Sequence, residues 1–118
     1  MTQVSVVEQF LTTMVAHDWD AMAACLTEDV VRVGPYLDTF AGRDEYVGYI
    51  ATMLPTLPGY SMEISRVVEA GSIVTAQLAE TVDDPSGKAL RTPEALVFDL
   101  APDGRIARIE VFIQTGTA

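Results

Sequence analysis

The chain has 118 residues, of which 49% are hydrophobic and 20% charged, and its formal net charge is −10 with only seven Lys and Arg. This length and composition are typical of one globular domain over residues 1–118, and they exclude a disordered chain. The negative charge repels phosphate groups, so neither nucleic acid nor an anionic membrane surface is expected as a partner.

The first half of the chain is predicted to be mainly helical. Apolar residues recur at three- and four-residue steps over residues 4–15, which is typical of an amphipathic helix with one buried face. A second, short helix follows, with Trp19, Met22 and Leu26 on one face and Asp18 as its N-cap. We therefore expect two consecutive helices joined by a turn at His17.

A short strand and a third helix are predicted next. Residues 30–33 include three valines and are followed by Gly34-Pro35, which ends a strand. Residues 36–41 are predicted to form a loop. The third helix begins after Gly42 and is stopped by Pro55, because proline cannot continue a helix.

From Tyr60 onwards the apolar residues alternate with a period of two, which indicates strands. Strands are predicted over residues 60–70, 73–82, 89–100 and 105–114, with turn signals between them. Short turns imply antiparallel neighbours. The order of helices and then strands predicts an α+β domain whose helices cover one face of the sheet.

The N-terminal residues lack the basic start and the unbroken apolar core of a signal peptide, and no apolar run approaches the length of a membrane span. The single Cys25 lies among apolar residues of the second helix, which is typical of a buried structural thiol. We therefore expect a protein of the reducing cytoplasm, with no membrane association.

Four short segments follow one another along the chain: Asp18-Trp19-Asp20-Ala21, Leu26-Thr27-Glu28-Asp29-Val30, Gly42-Arg43-Asp44-Glu45 and Asp103-Gly104-Arg105-Ile106. With the order of elements, they make the chain resemble the SnoaL-like, nuclear-transport-factor-2-like superfamily over nearly its whole length. The resemblance implies a cystatin-like α+β cone, in which N-terminal helices pack on a curved, mainly antiparallel sheet around one apolar pocket. It also implies a homodimer formed through the sheet. It does not imply one chemistry, because the fold hosts isomerases, hydrolases, cyclases and non-catalytic binders.

Limonene epoxide hydrolases are similar in layout but differ in their catalytic residues. Their Arg-x-Asp pair falls on Thr81 and Asp83 here, and their aspartate on the last strand falls on Val111. Two of the three catalytic positions are therefore lost, and this activity is not expected by that family's mechanism.

Ketosteroid isomerases and SnoaL-type cyclases also fail this comparison. The three catalytic positions of the isomerases fall on Gly34, Phe10 and about Leu96, none of which carries an acid, a base or a phenol. The cyclases use a histidine in the sheet, whereas the only histidine here is His17, at the turn between the first two helices.

One acidic residue is predicted on the pocket face of the sheet. If Leu96 faces the cavity, as the isomerase comparison implies, alternation places Thr92, Glu94 and Phe98 beside it. An apolar pocket disfavours the charged form of a carboxyl group, so Glu94 is the candidate general acid or base. The alternative is that Glu94 faces solvent or pairs with Arg91 or another arginine.

Further candidates come from the loop where this fold's pocket opens and from aromatic residues at helical spacing. Tyr36 and Asp38 in the loop could contact a ligand, and Arg32 could bind an acidic group. For each of these residues and for the aromatic residues, the alternative is ordinary packing without a ligand. Glu80 is expected to pair with Arg66 or Arg108 across the sheet. The predicted substrate-binding residues are Trp19, Tyr36, Asp38, Tyr46, Leu96, Phe98 and Val111.

No cofactor is expected, because the sequence has one His, one Cys, scattered acidic residues and no Gly-rich phosphate loop before a helix. Two functions remain open. One is a cofactor-free acid–base enzyme of the isomerase, cyclase or hydrolase type acting on a small apolar molecule. The other is a non-catalytic module that binds a ligand or dimerises. The face of the last strand that carries Phe112 with Arg108, Glu110 and Gln114 would suit a contact between two sheets.

Overall fold

The computed structural model describes residues 2–115. Its helices are α1 (Gln3–Val15), α2 (Trp19–Ala24) and α3 (Arg43–Met53), the last continued by a 3-10 turn at Leu54–Thr56. Its strands are β1 (Leu26–Val33), β2 (Thr39–Ala41), β3 (Ser61–Ala70), β4 (Ile73–Asp83), β5 (Ala89–Leu100) and β6 (Ile106–Ile113). The predicted α+β class is confirmed, and so are the four long strands of the second half.

The first two helices begin where side chains can cap them. The Thr2 side chain accepts a hydrogen bond from the Ser5 N–H at the start of α1, and Asp18 accepts one from the Ala21 N–H at the start of α2. Between the two helices, His17 adopts a positive φ of 58° and its ring stacks on Trp19. The chain can therefore turn sharply after α1 and lay α2 beside it.

Within residues 2–115 the strands form one sheet in the order β2-β1-β6-β5-β4-β3. Each neighbouring pair is antiparallel except β1 and β6, which run parallel. The curved sheet wraps around the helices, as expected for a cone. In the same residues, no helix is long and apolar enough to cross a membrane.

Two predicted boundaries in the first half are wrong. The strand β1 begins at Leu26 rather than at residue 30, so Leu26 leaves the second helix and is fully buried in the sheet. The charged pair Glu28-Asp29, at a shift in the β1–β6 register, hid the alternation in the sequence. Residues 39–41, predicted as loop, form the short edge strand β2, which pairs with the end of β1.

The core fills one part of the space between helices and sheet. Phe10 of α1 and Phe98 of β5 are fully buried and meet edge to face, with ring centroids 5.8 Å apart. Other large side chains with no exposed surface surround them: Leu11, Met22, Leu26, Ile106 and Ile109. The remaining space, under α3 and the 3-10 turn, is a cavity.

Candidate active site

The cavity has a volume of about 330 Å³ and lies between α3 and the concave face of the sheet. Most of its wall is apolar, with Met14, Ile50, Met53, Leu54, Met62 and Val82 among the residues that line it. The polar residues in the wall are Arg32, Tyr46, Tyr60, Glu80, Thr92 and Glu94. A mainly apolar pocket with a few convergent polar groups is the usual form of a small-molecule site.

Alternation along two neighbouring strands brings Glu80 and Glu94 together. In the β4–β5 pairing, Glu80 is opposite Thr92 and Leu78 is opposite Glu94, so the two glutamates are diagonal neighbours on the concave face. Their carboxyl groups lie close enough in the cavity wall for Glu80 to raise the pKa of Glu94. The sheet register therefore builds a carboxyl pair from residues 14 positions apart in the sequence.

Glu94 holds its proton far more tightly than an ordinary glutamate. Burial raises its pKa most, followed by the hydrogen bond to Glu80 and the charge of Glu80, while Arg32 acts in the opposite direction. The result is a pKa of about 9. Two adjacent carboxyl groups in an apolar site cannot both ionise easily, so Glu94 keeps its proton at neutral pH.

Tyr60 gives Glu80 a second donor. Its hydroxyl group donates a hydrogen bond to Oε2 of Glu80. Burial and the negative charge of Glu80 raise the pKa of Tyr60, so the hydroxyl keeps its proton. Burial likewise raises the pKa of Tyr46, which lies in the same wall. The negative charge of Glu80 is thus held between two neutral donors.

Among the described residues, 2–115, Arg32 is the only positively charged residue that lines the cavity. Its Nη1 donates to Oδ2 of Asp38 at 2.9 Å, and its guanidinium lies 5.9 Å from the centre of the Tyr46 ring. Its Nε is buried and has no hydrogen-bond partner among the described residues. The site therefore contains one cation, one shared proton and two phenol groups.

Four of the predicted site residues line this cavity: Glu94, Tyr46, Leu96 and Val111. Within residues 2–115, Glu94 forms no ion pair with Arg91. The structure thus places the candidate acid beside a carboxyl partner, while the charge of Arg32 acts on it from the same cavity wall.

The other four predicted residues are not among those that line the cavity in residues 2–115. Tyr36 is 77% exposed at the tip of a turn, and Asp38 makes the ion pair with Arg32. Trp19 stacks on His17 with ring centroids 5.2 Å apart, and Phe98 belongs to the core. Asp38 alone of these four connects with the site, through the arginine that it holds.

The sequence interpretation missed the roles of Glu80 and Tyr60. The predicted pairing of Glu80 with an arginine across the sheet is wrong: Arg66 hydrogen-bonds to Gln77, and Arg108 contacts Glu110 on its own strand. Epoxide hydrolases carry their catalytic arginine at the position of Thr81, whose side chain lies on the opposite face of β4 from that of Glu80. The overlooked signal was a single glutamate within an apolar alternation on β4, whose other members are Val74, Ala76, Leu78 and Val82.

A metal centre has no support in the described part of the chain. Among residues 2–115, no three His, Cys, Asp or Glu side chains are grouped so that they could hold a metal ion.

Comparisons with known proteins agree on the fold. The family model described as a SnoaL-like domain matches residues 7–109. No curated protein sequence matches the chain. An LEH-like epoxide hydrolase from M. tuberculosis superimposes with a TM-score of 0.81 at 20% identity, covering 95% of this chain and 82% of that one.

Two further structures are equally similar. A protein assigned as a SnoaL-like polyketide cyclase from Jannaschia sp. CCS1 gives a TM-score of 0.83 at 18% identity, covering 95% of this chain and 85% of that chain. An NTF2-like protein of unknown function from Cytophaga hutchinsonii gives 0.80 at 18% identity, covering 97% and 91% of the two chains. At these identities the likeness shows a shared fold and leaves the chemistry to the site itself.

Proposed function

The chain belongs to the SnoaL-like domain family, and we propose that it is a cofactor-free acid–base enzyme acting on a small, largely apolar molecule in the cavity. The observation that carries this proposal is the pair of neighbouring glutamates, Glu80 and Glu94, in an apolar wall. Carboxyl groups in such surroundings cost stability, and strongly shifted acids cluster at functional sites.

The carboxyl pair offers an acid and a base at the same pH. Glu94 keeps a proton that it can donate, while Glu80 is the acceptor oriented by Tyr60. Reactions that need a proton removed at one atom and supplied at another require this combination. Isomerisation, cyclisation and epoxide opening are of this kind, and cyclisation and epoxide opening are the activities in the names of two of the structural neighbours.

The test is to incubate the protein with a panel of small cyclic ketones and epoxides. Mass spectrometry detects products, and NMR detects deuterium that a compound takes up from the solvent. We expect Glu94→Gln and Glu80→Gln each to lower the rate on a turned-over compound by roughly 10²–10⁴-fold, the usual contribution of a general acid or base. Glu63→Gln is the matched control, because Glu63 is an exposed glutamate on β3, beside the cavity-lining Met62. Full activity in both cavity variants would refute the proposal.

The second candidate is a non-catalytic module that binds a small apolar ligand in the same cavity. It is favoured by the loss of the residues that related enzymes use, since their positions hold Thr81, Val111, Gly34 and Phe10. Under this alternative a ligand would bind in the cavity without turnover. Glu80→Gln and Glu94→Gln would then change its affinity only.

We also propose that two copies of the chain pair through the outward face of the sheet. Phe112 is 55% exposed on that face, opposite Ala95, and Val68 of β3 is also exposed. In a two-fold contact, Arg108 of one copy can meet Glu110 of the other. Light scattering at micromolar concentration should give a dimer that Phe112→Glu dissociates and that Val15→Glu, at an exposed position on α1, leaves intact. A monomeric wild-type protein would contradict the pairing.

A further inference from the structure

The cavity wall carries a negative charge that no cation of the described residues neutralises. Arg32 is the positively charged residue of the wall, but its Nη1 donates to Asp38 at 2.9 Å, so this pair is neutral as a whole. Within residues 2–115, Glu80 forms no ion pair and accepts its hydrogen bond from the neutral hydroxyl of Tyr60. The net charge of the chain, −10, adds to the negative potential.

A hydroxyl group in the same wall is left without a partner. Tyr46 of α3 is only 4% exposed and lines the cavity. Its hydroxyl makes no hydrogen bond to the described residues, yet the fully buried side-chain atoms without a partner in that part of the chain are Oγ1 of Thr27 and Nε of Arg32. The Tyr46 oxygen therefore retains surface that a molecule in the cavity can reach. A nearly buried polar group of this kind calls for a partner, and a ligand can supply it.

We infer that the cavity binds a small amine as its ammonium ion, with its N–H groups directed to Glu80, Glu94 and Tyr46. A primary ammonium has three N–H donors and no acceptor, which matches three acceptors in one wall. The apolar part of the amine lies against Met14, Met53 and Met62, which line the same cavity. This inference goes beyond the proposed function, because it concerns which molecules bind and requires no turnover.

The three acceptors lie close to one another. Glu80 and Glu94 are diagonal neighbours on adjacent strands, on the face that lines the cavity. Burial and, to a lesser extent, the negative charge of Glu80 raise the pKa of Tyr46, so this charge reaches the Tyr46 hydroxyl. One ammonium group can therefore contact residues of α3, β4 and β5 together.

An ammonium ion can take the place of the proton that Glu94 holds. Two neighbouring carboxyl groups repel each other when both are ionised, and a cation between them removes this repulsion. At neutral pH the proton on Glu94 has this role. When the ammonium binds, that proton leaves for solvent and the cavity gains one positive charge in exchange, so the net charge of the site is unchanged.

The charged and titratable groups around Glu94 come from four other parts of the chain: Arg32 on β1, Tyr46 on α3, Tyr60 before β3 and Glu80 on β4. Burial raises the pKa of each tyrosine, so both phenols stay neutral, and an arginine remains charged. Glu94 is the group that can give up a proton to a cation. Because the ammonium and the proton compete, the affinity should rise by up to about tenfold per pH unit at pH values below 9.

The test compares three probes that share a benzene ring and differ in charge: benzylammonium, benzyl alcohol and benzoate. Isothermal titration calorimetry at pH 7.5 gives their affinities for the wild type, Glu80→Gln and Glu63→Gln. We expect the wild type to bind benzylammonium roughly tenfold more tightly than benzyl alcohol, because hydrogen bonds of a charged donor are stronger, and to bind benzoate least. Glu80→Gln should lose this preference. Glu63→Gln makes the same change of net charge at an exposed position on β3 and should keep it.

Proton release distinguishes the carboxyl pair from other acidic positions. Titrations in two buffers of different ionisation enthalpy count the protons released for each benzylammonium bound. The wild type should release about one proton, whereas Glu94→Gln should release none. Tyr46→Phe should lower the affinity for benzylammonium roughly fivefold, the effect of one lost hydrogen bond. These two variants still test the inference if circular dichroism shows that Glu80→Gln is unfolded.

Two results would overturn the inference: benzylammonium binding no more tightly than benzyl alcohol, or no binding of benzylammonium at millimolar concentration. Binding without proton release by the wild type would overturn the position of the ammonium between the carboxyl groups. The turnover experiment uses neutral ketones and epoxides, so its outcome does not depend on this preference for a cation. Failures of the two proposals are therefore distinguishable.

Discussion

The concave face of the sheet has two regions that differ sharply although the same strands build them. On β5, Phe98 is fully buried against Phe10, whereas Glu94, four residues earlier on the same face, lines the cavity. On β4, Val74 has no exposed surface, whereas Glu80 hydrogen-bonds to Tyr60 in the cavity wall. We call these regions the packed end and the cavity end.

The difference indicates how the fold separates stability from chemistry. Apolar side chains of α1 and α2 fill the packed end, and close packing there contributes most of the favourable burial. At the cavity end, α3 and the 3-10 turn leave room, and the polar groups satisfy one another. Functional sites commonly depart from the rules that the rest of a domain obeys.

The largest expected effect tests the packed end. Phe98→Ala should lower the free energy of unfolding by about 3–5 kcal/mol, because it leaves a void in a close-packed core. Met62→Ala, in the cavity wall, should cost only about 1 kcal/mol, since Met62 is partly exposed and no enclosed void forms. Urea denaturation compares the two variants. Equal losses would show that the two ends do not differ in packing.

The packed end could largely be predicted from the sequence. The spacing of Val7, Leu11 and Met14 predicts the buried face of α1, and all three residues are buried in the structure. Turn signals around Gly71, Gly87 and Gly104 mark the hairpins, and each of these glycines has a positive φ. Local patterns are sufficient here because a period of 3.6 or 2 specifies which face is buried.

The cavity end could be predicted only in part. Alternation placed Glu94 on the inner face, but its partner Glu80 depends on the register between β4 and β5, which a single sequence does not specify. Tyr60 meets Glu80 only after β3 pairs with β4. Long-range pairing, rather than any local motif, assembles the candidate site.

The next effect tests whether the polar groups of the cavity end stabilise one another. Tyr60→Phe removes the hydroxyl donor of Glu80 and should cost about 1 kcal/mol, because the carboxyl group loses one hydrogen bond at a partly buried position. Tyr36→Phe is the matched control, since Tyr36 is 77% exposed and should be unchanged. An unaltered stability of Tyr60→Phe would mean that water replaces the lost hydrogen bond.

The smallest effect is the pH dependence of stability that Glu94 imposes on the cavity end. The pKa of Glu94 in the folded protein is raised to about 9. At pH values between the ordinary glutamate pKa and this value, the folded state therefore binds more protons than the unfolded state. The contribution of Glu94 to the free energy of unfolding should therefore be fully present below the ordinary glutamate pKa and should be lost as pH rises towards 9. Glu94 is only half-buried, so solvent screening should keep the change between pH 5 and 8 below about 1 kcal/mol.

Glu94→Gln removes the titrating group, so its unfolding free energy should decline less with pH than that of the wild type. Glu63→Gln should keep the wild-type decline, because Glu63 is exposed and lies outside the carboxyl pair. Denaturant titrations at pH 5, 6.5 and 8 give the three curves. If the unfolding free energies of Glu94→Gln and the wild type declined equally with pH, the proton with the raised pKa would belong to another group. The cavity end would then lack the protonated acid that distinguishes it chemically from the packed end.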